Sequence, residues 1–374
     1  MCAAIRPGDS PRSQCDKHWL KAASCHWEAK TLNKRPHILR VETGLISPSG
    51  IDQESSADIL DYHVYARVPR WWRRLEELLR LDLYLALRAK SVESRYDIIW
   101  AGSEKVGIPL SFLGIQKPLV VIAHHVESPL RAKFVRATGI ARKWAGIGYI
   151  SNENREFFIN DLGVPARRLF QYESAKYLHK AAIAKTATDG PIMSAGVAKR
   201  DYPTLISALA ELEGYETELF ISSKFGDKLT HRIDGNVPAW VRFMDFTPED
   251  ELMRHYQRAR FVVVPLERTT HNGAGVNVVL EAGSSGKAVV ATKTGGMSTF
   301  VKDGETGILV PPHDAQALRN AIQKLWMEPD LACEMGLAGR RYMEAHFDPE
   351  VVNSNISAFL DQTYADVQKK GDFN

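Results

Sequence analysis

Short apolar runs alternate with helical segments along most of the chain. Examples are PLVVIAHH at 118–125, FVVVPL at 261–266 and AVVAT at 288–292. A continuous apolar run of this length is typical of a parallel strand buried on both faces, and parallel strands are joined by crossover helices. The alternation occurs in two blocks, which a change of composition near 180–190 separates. The sequence therefore predicts an α/β protein with two Rossmann-like, doubly wound domains facing each other across a cleft.

Domain boundaries follow from the same alternation. A first domain is predicted over 1–185, although residues 1–35 show no readable pattern. A second is predicted over 186–350, and a C-terminal helix over 351–374 could pack back on the first domain. Because ligands of such sheets bind at the carboxyl ends of the strands, the active site is expected between the domains, on loops far apart in sequence.

Composition narrows the class of protein. The 374 residues are 44% hydrophobic and 25% charged, and a formal net charge of +3 gives no argument for nucleic-acid binding. No apolar run reaches the roughly 20 residues that a membrane-spanning helix needs, and the N-terminus does not resemble a secretion signal. We therefore expect a cytoplasmic protein. The cysteines have no metal-ligand or CxxC spacing, which fits a reducing compartment; they are Cys2, Cys15, Cys25 and Cys333.

The segment Gly273–Asp314 interleaves glycine-rich turns, one amphipathic helix and two short apolar strands. Gly273 and Gly275 remove side chains where backbone would approach a ligand, and the helix VNVVLEAGSS follows directly. Backbone amides at a helix N-terminus bind phosphate groups without a metal, so the segment predicts a diphosphate cradle. Glu281 in that helix could reach a ribose behind the phosphates. The alternative is an ordinary turn with a solvated glutamate, and the downstream Gly295–Gly296 turn favours the cradle.

Two adjacent cations, Lys199 and Arg200, follow Gly196 in the segment AGVAKRDYPTL. The strand that ends at Gly196 is the first of the second domain, so this loop belongs to the same sheet as the cradle. Fixed cations there would stabilise the negative charge that builds on a departing diphosphate. A solvated loop pair is the alternative, and the position in the sheet favours the clamp.

His124 and His125 follow the apolar run at 118–125. A histidine at the carboxyl end of a buried strand faces the cleft, where it could hydrogen-bond a sugar hydroxyl or an attacking acceptor. Two adjacent side chains cannot both point into the cleft. A structural histidine satisfied by a neighbouring carbonyl is an equally good interpretation.

A basic aromatic segment opens the helix predicted over 69–90. Trp and Arg together at a helix start are typical of helices that lie on an anionic membrane surface. The favoured alternative is an ordinary amphipathic helix with Trp packed inward, because Glu76, Glu77 and Asp82 dilute the positive charge. The residues concerned are Arg67, Arg70, Trp71, Trp72, Arg73 and Arg74.

From about 191 to 346 the sequence resembles retaining glycosyltransferase family 4, whose two-Rossmann-domain architecture is called GT-B. LEAGSSGKAVVATKTGGMSTFVKDGETGILVPPHDAQAL resembles the family's acidic helix and the glycine-rich segments after it. SAGVAKRDYPTLISAL resembles the first strand and the phosphate-binding loop, and VRFMDFTPEDELMRHYQRARFVVVPL resembles the segment that holds the nucleotide base. In the N-terminal half YDIIWAGSEKVGIPL and VVIAHH are similar to family segments in order and spacing.

The resemblance implies transfer of a sugar from a nucleotide diphosphate sugar to an acceptor, with retention and without a bound metal or other cofactor. The first domain would be the acceptor side and the second the nucleotide-sugar side, where Glu281 would hold the ribose. Lys199 and Arg200 would stand near the family's phosphate-binding cation. The implied catalytic residues are His124, Lys199 and Arg200, and the implied donor-binding residues are Gly196, Phe243, Gly273, Gly275, Val276, Asn277 and Glu281.

The chain departs from the family at Gly273, where many members carry the first of two glutamates, and at Val197, where an arginine is common. That glutamate usually contacts the donor sugar. We predict a glycosyltransferase with a glycan, lipid-linked or small-molecule acceptor in cell-envelope or exopolysaccharide synthesis, with peripheral contact with the inner membrane surface as a further expectation. The alternatives are a nucleotide-sugar epimerase of the same architecture and a catalytically degenerate protein that binds a nucleotide sugar without turnover.

Overall fold

The computed structural model describes residues 35–42, 57–61, 68–181, 189–221, 237–244 and 247–371. The chain divides into two units, Met1–Arg35 and Pro36–Asn374, and the fold described below belongs to the second unit. Three of the four cysteines, Arg67 and most of the composition change near 180–190 lie outside the described residues.

The second unit contains two parallel sheets. The first has the strands β1 (Ile38–Val41), β2 (Ala57–Leu60), β3 (Ile98–Ala101), β4 (Leu119–Ile122), β5 (Gly146–Tyr149) and β6 (Leu169–Gln171), in the order β2-β1-β3-β4-β5-β6. The second has β7 (Ile192–Ala195), β8 (Thr217–Phe220), β9 (Val241–Met244), β10 (Phe261–Val264), β11 (Val289–Thr292) and β12 (Gly307–Val310), in the order β12-β11-β10-β7-β8-β9. The predicted fold class, two doubly wound α/β domains, is confirmed.

Helices connect these strands. In the first half they are α1 (Arg70–Leu79), α2 (Leu83–Val92), α3 (Glu104–Phe112), α4 (Pro129–Thr138) and α5 (Asn152–Glu156). In the second half they are α6 (Tyr202–Leu209), α7 (Glu249–Arg258), α8 (Val276–Ser284), α9 (Met297–Phe300), α10 (Ala315–Met327), α11 (Pro329–His346) and α12 (Pro349–Gly371). Some helix starts are capped by side chains: Asp201 and Asp314, for example, accept hydrogen bonds from the backbone amides of Thr204 and Ala317.

Each sheet has a point at which the strand order reverses. The chain begins at an interior strand, extends to one side and then continues on the other, so the reversal lies between β1 and β3 in the first sheet and between β7 and β10 in the second. Ligands of open α/β sheets bind outside the carboxyl ends of the strands at this place. In the second sheet the two flanking loops are 196–201, which carries the predicted cations, and 265–275, which carries the predicted glycines.

The last helix, α12, packs against the first sheet although it follows the second sheet in the chain. Its buried apolar side chains recur at every fourth position and so share one face. That face lies on Ile98 and Trp100 of β3, and the Phe359 ring occupies the space that a side chain at Gly146 would need. The buried residues of the helix are Val352, Ile356, Leu360 and Tyr364.

The single helix predicted over 69–90 is wrong, because the segment forms two helices, α1 and α2. The break lies at Arg80, whose backbone adopts a left-handed conformation with φ of 52°. The Glu76 side chain is buried beneath the break, and its Oε1 accepts a hydrogen bond of 2.7 Å from the backbone amide of Tyr84. A carboxylate aimed at the first turn of the second helix stabilises that start, which periodicity alone does not reveal.

Candidate functional site

Arg200 is folded back onto its own loop. Its Nε donates to the carbonyl of Ala195 at 2.9 Å and its Nη1 to the carbonyl of Ala198 at 3.0 Å, and the residue is only 5% exposed. Gly196, with φ of 95°, leaves room for the guanidinium, which lies 2.6 Å from the position a Cβ would take there. Arg200 therefore stabilises the loop from inside. The predicted clamp of two cations pointing at one diphosphate is corrected, because the donors of Arg200 are directed at carbonyl groups.

Lys199 has the opposite environment. Its side chain is half exposed, and its Nζ lies 3.9 Å from Glu267 Oε2, an ion pair that solvent screens. The two residues also join the loops after β7 and β10, because the amide of Glu267 donates to the carbonyl of Lys199 at 3.0 Å. The charge of Lys199 is felt by His271 on the second loop, where it helps to lower the histidine pKa. Lys199 is thus the exposed cation of the predicted pair.

The glycine cradle is built as a turn that leads into α8. The backbone amide of Gly273 donates to His271 Nδ1 at 3.1 Å. Gly275 is the residue before the helix and has φ of 81°; a Cβ there would lie 2.9 Å from Val264 Cγ1, so both conformation and space require glycine. The first helical residue, Val276, is buried, whereas Asn277 is exposed. A helix N-terminus of this kind carries partial positive charge on its unpaired amides.

Glu281 lies on α8 with a defined partner. Its Oε2 accepts a hydrogen bond of 2.8 Å from the hydroxyl of Tyr256. Burial raises the pKa of Glu281 to about 7, and the Tyr256 hydrogen bond and the charges of Lys176 and Arg200 oppose the rise. Glu281 is therefore a half-buried carboxylate held by a tyrosine, which differs from the solvated glutamate of the alternative interpretation.

The carboxyl edges of the two sheets meet at the cradle. The rings of His125 and His271 contact edge to face with centroids 3.8 Å apart. Asn272 Nδ2 donates to Glu127 Oε1 at 3.0 Å. Burial lowers the pKa of His271 to about 4, with the charges of His125 and His124 adding to the effect, so the ring is neutral at physiological pH.

A second group of contacts joins the halves beside the Gly295–Gly296 turn. The backbone amide of Asn152 donates to Thr299 Oγ1 at 2.8 Å, and that hydroxyl donates to Glu153 Oε2 at 3.1 Å. A Cβ at Gly296 would lie 2.3 Å from the Ser151 Cβ, so a glycine lets the two backbones approach. This turn therefore serves close packing between the halves.

His124 lies at the carboxyl end of β4 as expected, and its Nε2 donates to the carbonyl of Gly102 at 3.1 Å. Its backbone amide donates to Glu104 Oε2 at 3.0 Å, and Glu104 is fully buried in an ion pair with Arg131. This geometry matches one of the two interpretations of the sequence, a structural histidine whose ring is satisfied by a neighbouring carbonyl. His125, rather than His124, contacts the opposite half.

Phe243 lies on β9 at the far edge of the second sheet and remains exposed. Four residues of the candidate site were not predicted from the sequence: Glu127, Tyr256, His271 and Asn272. One signal was available for Glu127: an acidic residue in the loop after a buried strand lies at the edge where ligands bind.

Among the described residues no group of three or more His, Cys, Asp or Glu side chains is arranged to hold a metal ion. No described helix combines the length and apolarity needed to cross a membrane.

The second half of the chain is similar in sequence to known proteins. Residues 195–328 match the family Glycosyl transferases group 1. The D-inositol 3-phosphate glycosyltransferase of Corynebacterium diphtheriae is 40% identical over 98 residues, which cover 26% of this chain and 22% of that protein. The lipopolysaccharide core biosynthesis glycosyltransferase LpsE of Rhizobium meliloti is 30% identical over 172 residues, 45% of this chain and 48% of that protein. The matched segments thus span less than half the length of either relative.

Solved structures share the fold over most of the chain. Anabaena Alr3699/HepE in complex with UDP-glucose superposes with a TM-score of 0.67 and 18% identity, covering 88% of this chain and all of that chain. Sucrose-phosphate synthase from Thermosynechococcus elongatus gives a TM-score of 0.69 and 18% identity over the same shares. At this identity the likeness concerns the fold.

Proposed function

We propose that the protein is a glycosyltransferase that moves a sugar from a nucleotide diphosphate sugar to an acceptor, without a bound metal. One observation carries the proposal. The loop 196–201 and the cradle loop 271–275 follow adjacent strands, β7 and β10, at the reversal point of the second sheet, and both belong to the segment 195–328 that matches Glycosyl transferases group 1. The nucleotide sugar in the HepE structure supports the choice of donor class.

In this proposal the diphosphate lies against the start of α8. The unpaired amides there and the exposed ammonium of Lys199 stabilise the charge that develops on the leaving group. The bond between the anomeric carbon and the diphosphate oxygen breaks, and its electron pair stays with the diphosphate. The acceptor oxygen bonds the anomeric carbon on the same face, and the hydroxyl proton passes to the departing diphosphate. The ion pair of Lys199 with Glu267 is exposed and weak, so a diphosphate can replace the carboxylate.

Glu281 is assigned to the ribose of the donor. The carboxylate lies on the cradle helix α8 and is held by the Tyr256 hydroxyl, and a charged carboxylate is a strong acceptor for sugar hydroxyls. Arg200 acts indirectly: it holds the carbonyls of Ala195 and Ala198 and thereby fixes the loop that presents Lys199.

We further propose that the acceptor is lipid-linked and that the protein binds an anionic membrane through one surface of its first half. This Trp71 surface consists of the exposed side chains of Trp71 (64%), Leu78 (80%), Phe112 and Leu130 (86%). Phe112 and Leu130 also line an apolar cavity of about 510 Å³, together with Trp72 and Phe134. The exposed residues Arg70, Arg73 and Arg74 on the same helix, α1, complement an anionic headgroup layer.

The α1 helix departs from an ordinary amphipathic helix in its orientation. Its one fully buried residue is Glu76, whereas Leu75, Leu78 and Leu79 face outward. Exposed apolar side chains that lie close together on a surface mark interaction sites. The outward-facing leucines therefore favour the membrane interpretation over the inward-packed one.

The proposed activity can be tested by incubating the purified protein with UDP-, GDP- and ADP-linked sugars, with and without lipid acceptors. The quantity measured is the release of free nucleoside diphosphate. Acceptor-dependent release supports the transferase. Isomerisation of the donor sugar without release supports the epimerase, and a thermal shift with a nucleoside diphosphate but no turnover supports a degenerate binding protein. Absence of both turnover and any thermal shift contradicts the proposal.

A further inference from the structure

Gly273 in the cradle loop is the position at which many members of the family that the sequence resembles carry a glutamate. A Cβ there would meet His271 Cε1 at 3.2 Å and Ile150 Cδ1 at 3.6 Å. The cradle loop itself thus brings no carboxylate to this place. Any carboxylate that contacts the transferred sugar here has to come from another part of the chain.

Glu127 reaches this place from the first half. It lies in the loop that follows β4, and its Oε1 accepts a hydrogen bond of 3.0 Å from Asn272 Nδ2, one residue before Gly273. The neighbouring His125 packs on His271, so the same loop contacts the cradle at two adjacent points. These contacts hold the Glu127 carboxylate at the boundary between the two halves.

The second carboxylate oxygen of Glu127 has no hydrogen-bond partner among the described residues. Oε2 is buried and accepts no hydrogen bond within the part of the chain that the structure describes. A buried acceptor without a donor is unfavourable, and such groups occur where a ligand supplies the missing donor. Burial raises the pKa of Glu127 to about 7; hydrogen bonds from the residue's own backbone amide and from Asn272 oppose the rise, and the charge of Glu104 adds to it. Above neutral pH the group is mainly ionised and is a strong acceptor for hydroxyl groups.

We propose that Glu127 binds a hydroxyl of the transferred sugar and so supplies, from the acceptor half, the carboxylate that Gly273 lacks. The inference rests on the proposed function. It has a structural consequence: because Glu127 and the cradle belong to different halves, the sugar-binding carboxylate is in place only when the halves are in contact. The nucleoside diphosphate, which is held by the second half alone, binds independently of Glu127.

The test compares Glu127→Gln with Glu153→Gln, a matched control. Glu153 also bridges the halves, through Thr299, but lies at the other group of contacts. We expect Glu127→Gln to lower kcat/KM for the nucleotide sugar about tenfold or more, since a hydrogen bond to a charged group is lost, while the Kd of the nucleoside diphosphate changes by less than about twofold. Glu153→Gln should leave both within about twofold of the wild type.

A second variant separates sugar binding from a structural role of the Glu127–Asn272 contact. Gly273 has no left-handed φ, and the nearest atom to an added Cβ is a His271 side-chain atom at 3.2 Å, so a glutamate can be accommodated with a small shift of that ring. In the Glu127→Gln background, Gly273→Glu should recover part of the lost kcat/KM. The inference about Glu127, but not the proposed function, would be overturned by either of two results. One is a kcat/KM of Glu127→Gln equal to that of the wild type; the other is an equal loss of affinity for the nucleoside diphosphate and for the nucleotide sugar. A wild-type protein that neither binds a nucleoside diphosphate nor turns over any donor overturns the proposed function as well.

Discussion

At the scale of single residues, two neighbours in the sequence, Lys199 and Arg200, have different roles. Lys199 and Arg200 are adjacent cations at the end of β7, yet one is half exposed and the other is 5% exposed with its donors on two carbonyls. Their residue type and position could be predicted from the sequence. Their directions could not, because Arg200 turns inward through local carbonyl geometry that Gly196 makes possible.

Substitution of these two cations should separate binding from stability. Lys199→Ala should weaken nucleoside diphosphate binding about tenfold with little change in the free energy of unfolding. Arg200→Ala should lower the free energy of unfolding by about 3 kcal/mol, because it leaves two carbonyls without their donors. Denaturant unfolding and calorimetric titration measure both effects, and Lys324→Ala, an exposed lysine on α10, is the control. Equal losses of stability in the two variants would contradict the assignment.

The raised pKa of Glu281 gives a pH dependence of stability. The group binds a proton in the folded state up to about pH 7, whereas the unfolded group releases it near 4.5. The folded state therefore binds more protons between these values, and the free energy of unfolding falls as pH rises through this window. Glu281→Gln removes the effect, so the variant should gain stability relative to the wild type from pH 5 to pH 8, by up to about 3 kcal/mol.

Thermal unfolding at several pH values, with the exposed Glu334→Gln as the control, measures this gain. A difference between Glu281→Gln and the wild type that does not change with pH would contradict the burial of the Glu281 carboxyl. The partner that buries it, Tyr256, lies 25 residues earlier on α7, and no local pattern in the sequence indicates the contact.

At the scale of elements, apolar patterning predicted β4, β10 and β11 well because these strands are buried on both faces. It predicted one helix over 69–90 because the leucine spacing continues through the break at Arg80. The break depends on Glu76, a polar residue that turns inward and leaves the leucines outside. Periodicity indicates that a helix has an apolar face, but not whether that face meets the protein core or another surface.

The outward face of α1 predicts binding to vesicles. The wild type should sediment with vesicles that contain phosphatidylglycerol, less so with phosphatidylcholine alone, and binding should weaken as salt is raised. Leu78→Asp should reduce sedimentation strongly, because a charge replaces the most exposed leucine of α1. Met327→Asp alters a side chain that is also well exposed (69%) but lies on α10, and it should have no effect. Undiminished binding of Leu78→Asp, or no binding by the wild type, would contradict the membrane proposal.

At the scale of the whole molecule, the order of strands decides where the site can be. The two loops of the proposed donor site are about 70 residues apart in the chain and become neighbours because β7 and β10 pair. The sheet that carries the site could be predicted from the sequence, because the doubly wound pattern places both loops at the carboxyl edge of the same sheet. The contact of Glu127 with Asn272, 145 residues away, depends on how the halves meet and could not be predicted from either segment.

Hydrogen–deuterium exchange with and without a nucleoside diphosphate tests the central claim most directly. The account predicts slower exchange on ligand binding in the cradle loop 271–275, in the first turn of α8 and in the loop 196–201, since these backbone segments surround the proposed diphosphate. Protection that appears only elsewhere, or a bound nucleoside diphosphate that leaves exchange in these three segments unchanged, would contradict it.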